Sequence, residues 1–452
     1  MRRERQLANQ DQRRARRDAA RFMRQKAPTT VAPKKEGRLK VLMSAYACSP
    51  VRGAEANVAW NLVRELSERH ELWVLTRTNN QQAIERSRES WVERVHWIYL
   101  DPPKWLSFWR QGQIGVHPFY LCWQWQARRR AQSLMKQVSF DVVHHVTFGT
   151  YVVPSPLADL GVPLLFGPVG GGESTPSELE TGYSVRGRWE EAWRHLIRRL
   201  AHKLGFLRHW YSATAWTLAA TPGTELALRR LGVDRQSLML QSAVGGDAVE
   251  RFAASHRRGS RLDDGRLRLV AASRLVHWKA VDLGLEAVAL ARSKGLDVHL
   301  TILQEGPEEP ALRDHVRELG LGEVVEFVGR LPTLDDVFTR MSEADGLLHP
   351  ALHEAFGQAC LEALALGVPV LCLDWGGPGL IVNEDCGFKV QPSDRDTTVA
   401  DLAAAMMDLA KAYSEGRDYE VEAKKRAAEF SWADMAKRIE SLYFRLSTEI
   451  SP

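Results

Sequence analysis

The sequence has few cysteines and no long apolar run. Its five cysteines are scattered along 452 residues and form no Cys-x-x-Cys pair, so neither a disulfide framework nor a zinc site is expected. No window approaches the roughly 18 apolar residues that a membrane-spanning helix needs. The first forty residues are polar and charged with no apolar core, so no signal peptide is expected. These features predict a reduced, cytoplasmic protein.

Charge is distributed unevenly along the chain. Residues 1–40 hold 14 Lys and Arg against 4 Asp and Glu, whereas the whole chain has a net charge of +5, so residues 41–452 are mildly acidic. Residues 1–37 cannot build a core and are predicted to be a basic, flexible tail. Such a tail is either a solvated extension or a segment attracted to anionic lipid or nucleic acid. No nucleic-acid partner is expected, because the acidic remainder shows no aromatic and basic binding module.

The remainder alternates twice between apolar runs and amphipathic segments. The first series begins with LKVLMSAYACS and includes FDVVHHVTF, and the second restarts with RLRLVAASR followed by VDLGLEAVALARSK. Short strands alternating with helical segments predict an α/β fold of two Rossmann-like, doubly wound parallel sheets facing a cleft. Ligands of such sheets bind beyond the carboxyl ends of the strands. Motifs that follow a predicted strand are therefore the candidates for a site.

Residues 349–370, HPALHEAFGQACLEALALGVPV, contain the strongest signal. We expect Glu354 to lie in a loop and a helix to begin near Gly357, so that free N–H groups and the positive helix end suit a phosphate. Glu354 and Glu362 are eight residues apart, and a carboxylate at such a site is best used to accept hydrogen bonds from sugar or ribose hydroxyls. The alternative is two ordinary surface glutamates on an amphipathic helix.

A second signal lies in residues 273–287, SRLVHWKAVDLGLEA. Arg274 follows a predicted strand and Lys279 comes five residues later, before the next helix. Two cations at the mouth of a cleft can neutralise a diphosphate leaving group. Either cation alone would more often be a solvated loop charge.

These two segments, followed in order by GEVVEFVGRLP, VPVLCLDWGGPGLIVNEDCGFKV and a late FSW, resemble the donor-binding half of the retaining family 4 glycosyltransferases, which have the GT-B fold. SPVRGAEANVAWNL, DVVHH and GPVGGGE in the first half are similar to the branch that elongates bacterial polysaccharides. The resemblance implies four segments in the chain. They are a tail (1–37), an acceptor-binding domain (38–245), a nucleotide-sugar-binding domain (246–425) and a terminal helix packing back on the first domain (426–452).

The resemblance also implies roles for individual residues. Arg274 and Lys279 would contact the donor diphosphate. Glu362 would hold the ribose hydroxyls, and Glu354 the hydroxyls of the transferred sugar. The implied donor-binding set is Gly53, Arg274, Lys279, Glu354, Ala355, Phe356, Gly357 and Glu362. The implied catalytic set is Arg274, Lys279, Glu354, His144 and His145, and strand alternation would turn only one of the two histidines towards the cleft.

No metal ion or cofactor besides the nucleotide-sugar co-substrate is expected. No histidine or cysteine spacing typical of a metal site falls at a strand end, and Asp263-Asp264 and Asp335-Asp336 are adjacent pairs and not the Asp-x-Asp arrangement that holds a divalent ion. GGGE at 170–173 is not followed by Gly-Lys-Ser/Thr, so it is not a phosphate-binding P-loop.

Most of the 15 tryptophans lie between Trp60 and Trp216. Two stretches, 102–130 and 186–211, mix them with Leu, Phe and Arg, and in the second the apolar residues recur at helical spacing. Such a helix either packs into the core or lies on an anionic membrane surface. We therefore expect an enzyme bound peripherally to the inner face of the cell membrane, acting on a glycan or lipid-linked glycan in bacterial surface polysaccharide biosynthesis. The alternatives are a transferase acting on a soluble acceptor, an inactive membrane scaffold and a nucleotide-sugar isomerase.

Overall fold

A computed structural model describes residues 37–50, 53–103, 105, 115–176, 178–203, 205–245, 248–255 and 264–449. The predicted tail lies outside the described residues apart from Gly37, as do Gly246 and Asp247 at the predicted domain link. The strands of the first sheet are β1 (Lys40–Ala45), β2 (Glu71–Thr76), β3 (His96–Tyr99), β4 (Val142–Thr147), β5 (Leu164–Val169), β6 (Trp216–Ala219) and β7 (Gln236–Leu238). Those of the second sheet are β8 (Leu267–Ala271), β9 (Val298–Ile302), β10 (Val325–Phe327), β11 (Gly346–His349), β12 (Val370–Leu373) and β13 (Gly387–Val390).

Helices follow most of the strands. They are α1 (Ala54–Ser67), α2 (Thr78–Glu85), α3 (Val116–Leu134), α4 (Val185–Lys203), α5 (Phe206–Ser212), α6 (Pro222–Arg230), α7 (Ala248–Ser255), α8 (Val281–Ser293), α9 (Glu309–Glu318), α10 (Leu334–Glu343), α11 (Gln358–Ala365), α12 (Gly376–Ile381), α13 (Arg395–Ser414), α14 (Glu420–Ala428) and α15 (Trp432–Glu449). Short 3₁₀ turns occupy Ser90–Arg94, Glu180–Gly182 and His277–Lys279. None of the described helices is long and apolar enough to cross a bilayer.

Both sheets are parallel, as the sequence predicts. The first has the order β3-β2-β1-β4-β5-β6-β7 and the second the order β10-β9-β8-β11-β12-β13. In each sheet the chain adds strands on one side of the first strand and then changes direction. The change falls between β1 and β4 in the first sheet and between β8 and β11 in the second. A ligand site in a doubly wound sheet is expected at these two positions.

Contacts divide the chain into two compact units. The first contains the described residues up to Gly172, then Ile197–Gln241, then the chain from Trp432. The second contains Glu173–Leu196 and Ser242–Ser431. Helix α4 therefore begins in the second unit and ends in the first, and the terminal helix α15 belongs to the first.

The histidines of β4 lie in the core of the first unit. They do alternate between the two faces of the strand, but helices cover both faces, so both rings are buried. His144 bonds Tyr443 Oη of α15 through Nδ1 (2.5 Å) and Gly167 O through Nε2 (2.8 Å). His145 bonds Ser155 Oγ (2.8 Å) and Tyr120 Oη (2.9 Å).

Burial lowers the pKa of His144 to about 4 and that of His145 to about 3, so both imidazoles are neutral near pH 7. All four ring nitrogens are already engaged within the first unit. These contacts give both residues a structural role, and their catalytic role stays a prediction.

The contact between Tyr443 and His144 anchors α15 to β4. Tyr443→Phe should destabilise the protein by about 1–3 kcal/mol, because it leaves a buried imidazole nitrogen without its partner. Tyr99→Phe is the matched control, since the Tyr99 hydroxyl bonds no described residue, and it should be near neutral. Denaturant unfolding measures both, and equal midpoints for the two variants would contradict the anchoring role.

Candidate active site

The loop after β8 carries two of the predicted donor residues. Arg274 lies three residues beyond the end of β8, and its exposed guanidinium forms no ion pair with any described residue. The chain then enters the 3₁₀ turn His277–Lys279, and Ala280 takes a left-handed conformation (φ 49°) before α8 begins. Lys279 is therefore held at the end of a tight turn, whereas Arg274 is free to meet a ligand.

The loop after β11 carries Glu354 and the following residues. Glu354 Oε1 accepts the N–H of Phe356 at 3.0 Å, and Ser242 Oγ donates to the carbonyl of Phe356. Helix α11 begins after Gly357, which has φ 65° and caps the helix. A Cβ at Gly357 would lie 2.6 Å from Ile381 Cδ1, so the position has no room for a side chain. The loop and the helix start occur where the sequence predicts them.

An ion pair joins these two loops. Lys279 Nζ donates to Glu354 Oε2, and both side chains are largely buried, with 16% and 11% of their surface exposed. Two backbone bonds run in parallel, because the N–H groups of Leu352 (2.9 Å) and His353 (3.2 Å) both donate to Trp278 O. The loops after β8 and β11 thus form one connected structure.

Electrostatics keep Glu354 ionised in this buried position. Burial alone would raise its pKa, but the charge of Lys279 and the contact with His349 outweigh burial and hold the pKa well below 4.5. The His349 Nε2 atom lies 3.5 Å from Glu354 Oε2, and burial lowers the pKa of His349. A neutral imidazole, a carboxylate and an ammonium group therefore stand together at neutral pH.

A third loop, after β12, packs against the loop that carries Glu354. Gly377 N–H donates to Glu354 O at 2.8 Å. At Gly376 (φ 58°) a Cβ would lie 2.2 Å from the same carbonyl oxygen, so only glycine allows the two backbones to approach this closely. On α11, Gln358 Nε2 donates to Glu362 Oε1 at 3.2 Å, which orients the second predicted carboxylate.

Helix α4 braces the loop after β8 through contacts that the sequence did not predict. Glu191 Oε1 lies 3.3 Å from His277 Nε2, and the Arg194 guanidinium stacks over the Trp278 ring at 4.5 Å. Burial opposes ionisation of Glu191, but the hydrogen bond from His277 and the charge of Arg194 outweigh it and lower the pKa to about 2. No local signal could reveal this brace, because Glu191 and His277 are 86 residues apart.

The other predicted residues lie in the first unit. Gly53 is exposed and directly precedes α1, and His144 and His145 lie in the core. Arg52, the neighbour of Gly53, is outside the described residues. Within the described part of the chain, no group of three or more His, Cys, Asp or Glu side chains is arranged to hold a metal ion.

Comparison with known proteins places these features in a class. The fold is similar to that of starch synthase IV from Arabidopsis thaliana, solved with ADP and acarbose (TM-score 0.63, 16% identity, 91% of this chain and 100% of that one). The fold is also similar to that of the lipopolysaccharide outer core galactosyltransferase WaaB (TM-score 0.59, 15% identity, 90% of this chain and 100% of that one). Both units are thus Rossmann-like units of the GT-B type.

The sequence itself matches a family model over part of its length. Residues 253–426 match the model of the family described as glycosyl transferases group 1, in agreement with the resemblance seen in the motifs. The putative colanic acid biosynthesis glycosyltransferase WcaL of Escherichia coli (strain K12) is 29% identical over 184 residues, which is 39% of this chain and 44% of WcaL. The chain thus matches less than half the length of this curated relative. The matched family segment contains the loops after β8, β11 and β12.

A double-mutant cycle tests the ion pair. Lys279→Met should destabilise the protein by about 3–5 kcal/mol, because it leaves the Glu354 carboxylate buried without its counter-charge. The cycle with Glu354→Gln should show a coupling of about 1–3 kcal/mol in urea unfolding. Since the folded-state pKa of Glu354 is lowered, this stabilisation is present above pH 4.5 and is lost as the pH falls below it.

The partly exposed pair of Lys424 and Glu420, with 39% and 30% of their side-chain surfaces accessible, is the control. Its coupling should be about 0.3–0.5 kcal/mol, as for other surface pairs. A coupling for Lys279 and Glu354 no larger than the control would contradict their joint role in the loop structure.

Proposed function

We propose that this protein is a retaining glycosyltransferase that needs no metal ion and moves a sugar from a nucleotide-sugar donor to a lipid-linked glycan in bacterial surface polysaccharide biosynthesis. One observation carries the proposal. The Lys279–Glu354 pair lies at the strand-order change of the second sheet, inside the segment that matches the group 1 glycosyl transferases. A ligand of a doubly wound sheet binds at this position.

The chemistry of the loops suits a sugar diphosphate. Arg274 and Lys279 would neutralise the departing diphosphate as the bond between it and the sugar breaks. The carboxylate of Glu354 would accept hydrogen bonds from the sugar hydroxyls, and the backbone at 355–357 would lie against sugar and phosphate. Glu362 on α11 would hold the ribose hydroxyls. The two cations take the place that a divalent ion occupies in metal-dependent transferases.

The donor assignment is tested at Arg274. Arg274→Ala should lower kcat/KM by about 30- to 1000-fold, equivalent to about 2–4 kcal/mol of transition-state stabilisation. Because this side chain is exposed and forms no ion pair with a described residue, the variant should fold as the wild type does. Lys294→Ala, an exposed cation at the end of α8, is the control and should leave turnover unchanged. Activity should also survive excess EDTA.

Donor identity is read from thermal shifts with UDP-, GDP- and ADP-sugars, since a donor at 100 times its Kd adds about 2.7 kcal/mol of stability. If none of these nucleotide sugars stabilises the protein, the proposal is refuted and an inactive scaffold is favoured. An isomerised nucleotide sugar as product would favour the isomerase. Activity that is restored only by magnesium or manganese after EDTA would overturn the metal-independent mechanism.

We further propose that the enzyme works at the cytoplasmic face of the membrane, held there by α4. The apolar side chains along this helix are solvent-exposed. Trp189 is 74% exposed and Trp193 is 63% exposed, and Val185, Leu196, Ile197 and Leu200 are also exposed. Basic residues flank this stripe, including Arg188, Arg199 and Lys203. An amphipathic helix with tryptophans and arginines suits an anionic lipid surface.

The membrane proposal is tested by vesicle co-sedimentation. Reversing the charge at Arg188, Arg199 and Lys203 should release the protein from anionic vesicles, at about 1 kcal/mol per basic residue. Binding of the wild type should weaken as salt shortens the screening length. Arg194 is left intact because it stacks on Trp278 next to the donor loop.

The same charge reversal at Arg86, Arg88 and Lys136, which are exposed cations of the first unit without an ion pair to a described residue, is the matched control. This control should still bind. If both variants are released equally, the net charge of the protein explains vesicle binding, and the position of the basic residues on α4 does not. A wild type that ignores anionic vesicles at low salt would favour a soluble acceptor.

A further inference from the structure

The first sheet has a strand-order change of its own, as the second sheet does. In the second sheet the corresponding position, between β8 and β11, holds the Lys279–Glu354 pair. In the first sheet the change falls between β1 and β4. The residues that follow these two strands are Gly53 and Glu55 at the start of α1, and Phe148 directly after β4. A ligand site is expected there on the same topological ground.

A carboxyl group connects the two loops of the first sheet as well. Glu55 Oε1 accepts the backbone N–H of Phe148. Its second oxygen makes no hydrogen bond to any described residue. Phe148 has φ 58°, a left-handed conformation that is costly for a residue with a bulky side chain. Backbone outliers of this kind concentrate at binding and catalytic sites, where the surrounding structure holds them in place.

The surroundings of this carboxyl group are aromatic. The Phe148 ring is partly exposed and packs against Tyr120 at 4.4 Å and Tyr46 at 5.1 Å, with the exposed His117 ring at 5.8 Å. Burial raises the pKa of Glu55 to about 7, against the Phe148 N–H bond, which lowers it. The group thus combines a free carboxyl oxygen with the accessible part of an aromatic ring.

We propose that Glu55 and Phe148 form a sugar subsite of the first unit, which binds one ring of the acceptor glycan. An aromatic ring offers a flat apolar surface to the C–H face of a pyranose, and the free carboxyl oxygen accepts a hydrogen bond from a neighbouring hydroxyl group. An anionic diphosphate is disfavoured there, because no cation among the described residues is paired with the Glu55 carboxyl group or would neutralise the phosphate charge. That the sugar belongs to the acceptor rests on the function proposed above.

The test uses the full chain and saturation-transfer NMR with three probes, the methyl α-D-glycosides of glucose, galactose and mannose. At least one probe should bind the wild type. Phe148→Asn removes the ring but tolerates the left-handed backbone, and should abolish the saturation transfer. Glu55→Gln keeps the shape and replaces the free acceptor oxygen by an NH₂ group, and should raise the Kd about tenfold. Glu65→Gln, on the same helix and paired with Arg64, is the matched control and should bind as the wild type does.

Donor binding is measured in the same samples by the thermal shift with nucleotide sugars. It should be equal in all four proteins, so a failed donor assignment and a failed sugar subsite give different results. Saturation transfer from none of the three probes to the wild type would overturn the subsite, as would equal binding by wild type, Phe148→Asn and Glu55→Gln. Loss of nucleotide-sugar stabilisation in Glu55→Gln would instead place Glu55 in the donor site and refute its assignment to the acceptor.

Discussion

The buried pairing of Glu354 with Lys279 is the constraint on which the second unit's site depends. A carboxylate that loses water is stable only if a counter-charge and hydrogen-bond donors replace the lost hydration. Lys279 supplies the charge, and the Phe356 N–H supplies a hydrogen bond. Because the two charged residues lie in different loops, their attraction fixes the loops relative to each other. The ion pair that compensates for the burial of Glu354 therefore also holds the two loops in a preorganised geometry.

Strand order explains why this pair could form at all. β8 and β11 are neighbours in the sheet although β9 and β10 separate them in sequence. Their carboxyl ends lie side by side with no helix crossing between them, so the loops that follow can meet. β1 and β4 repeat the arrangement in the first sheet, where Glu55 reaches the backbone of Phe148. Each unit thus uses a carboxyl group to tie together the loops at its strand-order change, with a cation as the partner in one unit and a backbone N–H in the other.

The sequence was informative wherever the signal was local. Alternating apolar runs and amphipathic segments predicted the two parallel sheets, and the glycine and the apolar spacing after Glu354 predicted the start of α11 at Gly357. The orientation of His144 and His145 was beyond such reasoning. Alternation separates the two faces of a strand, but only the helices packed on it decide which face is open, and here Tyr443 and Tyr120 close both. The role of Glu191 could not be predicted either, because its partner His277 is distant in sequence.

Helix α4 shows how one element can serve two surfaces. On its inner face, a Cβ at Gly187 would lie 2.8 Å from His277 Cγ, and Glu191 and Arg194 contact His277 and Trp278. Its outer face presents Trp189 and Trp193 to solvent. Packing and ion pairing therefore explain Gly187, Glu191 and Arg194, whereas nothing in the described core explains the exposed tryptophans. Removing a large apolar side chain from water contributes about 1.5–3 kcal/mol of favourable free energy. Their exposure along a helix that also supports the loop after β8 is the reason to look for a surface that covers them.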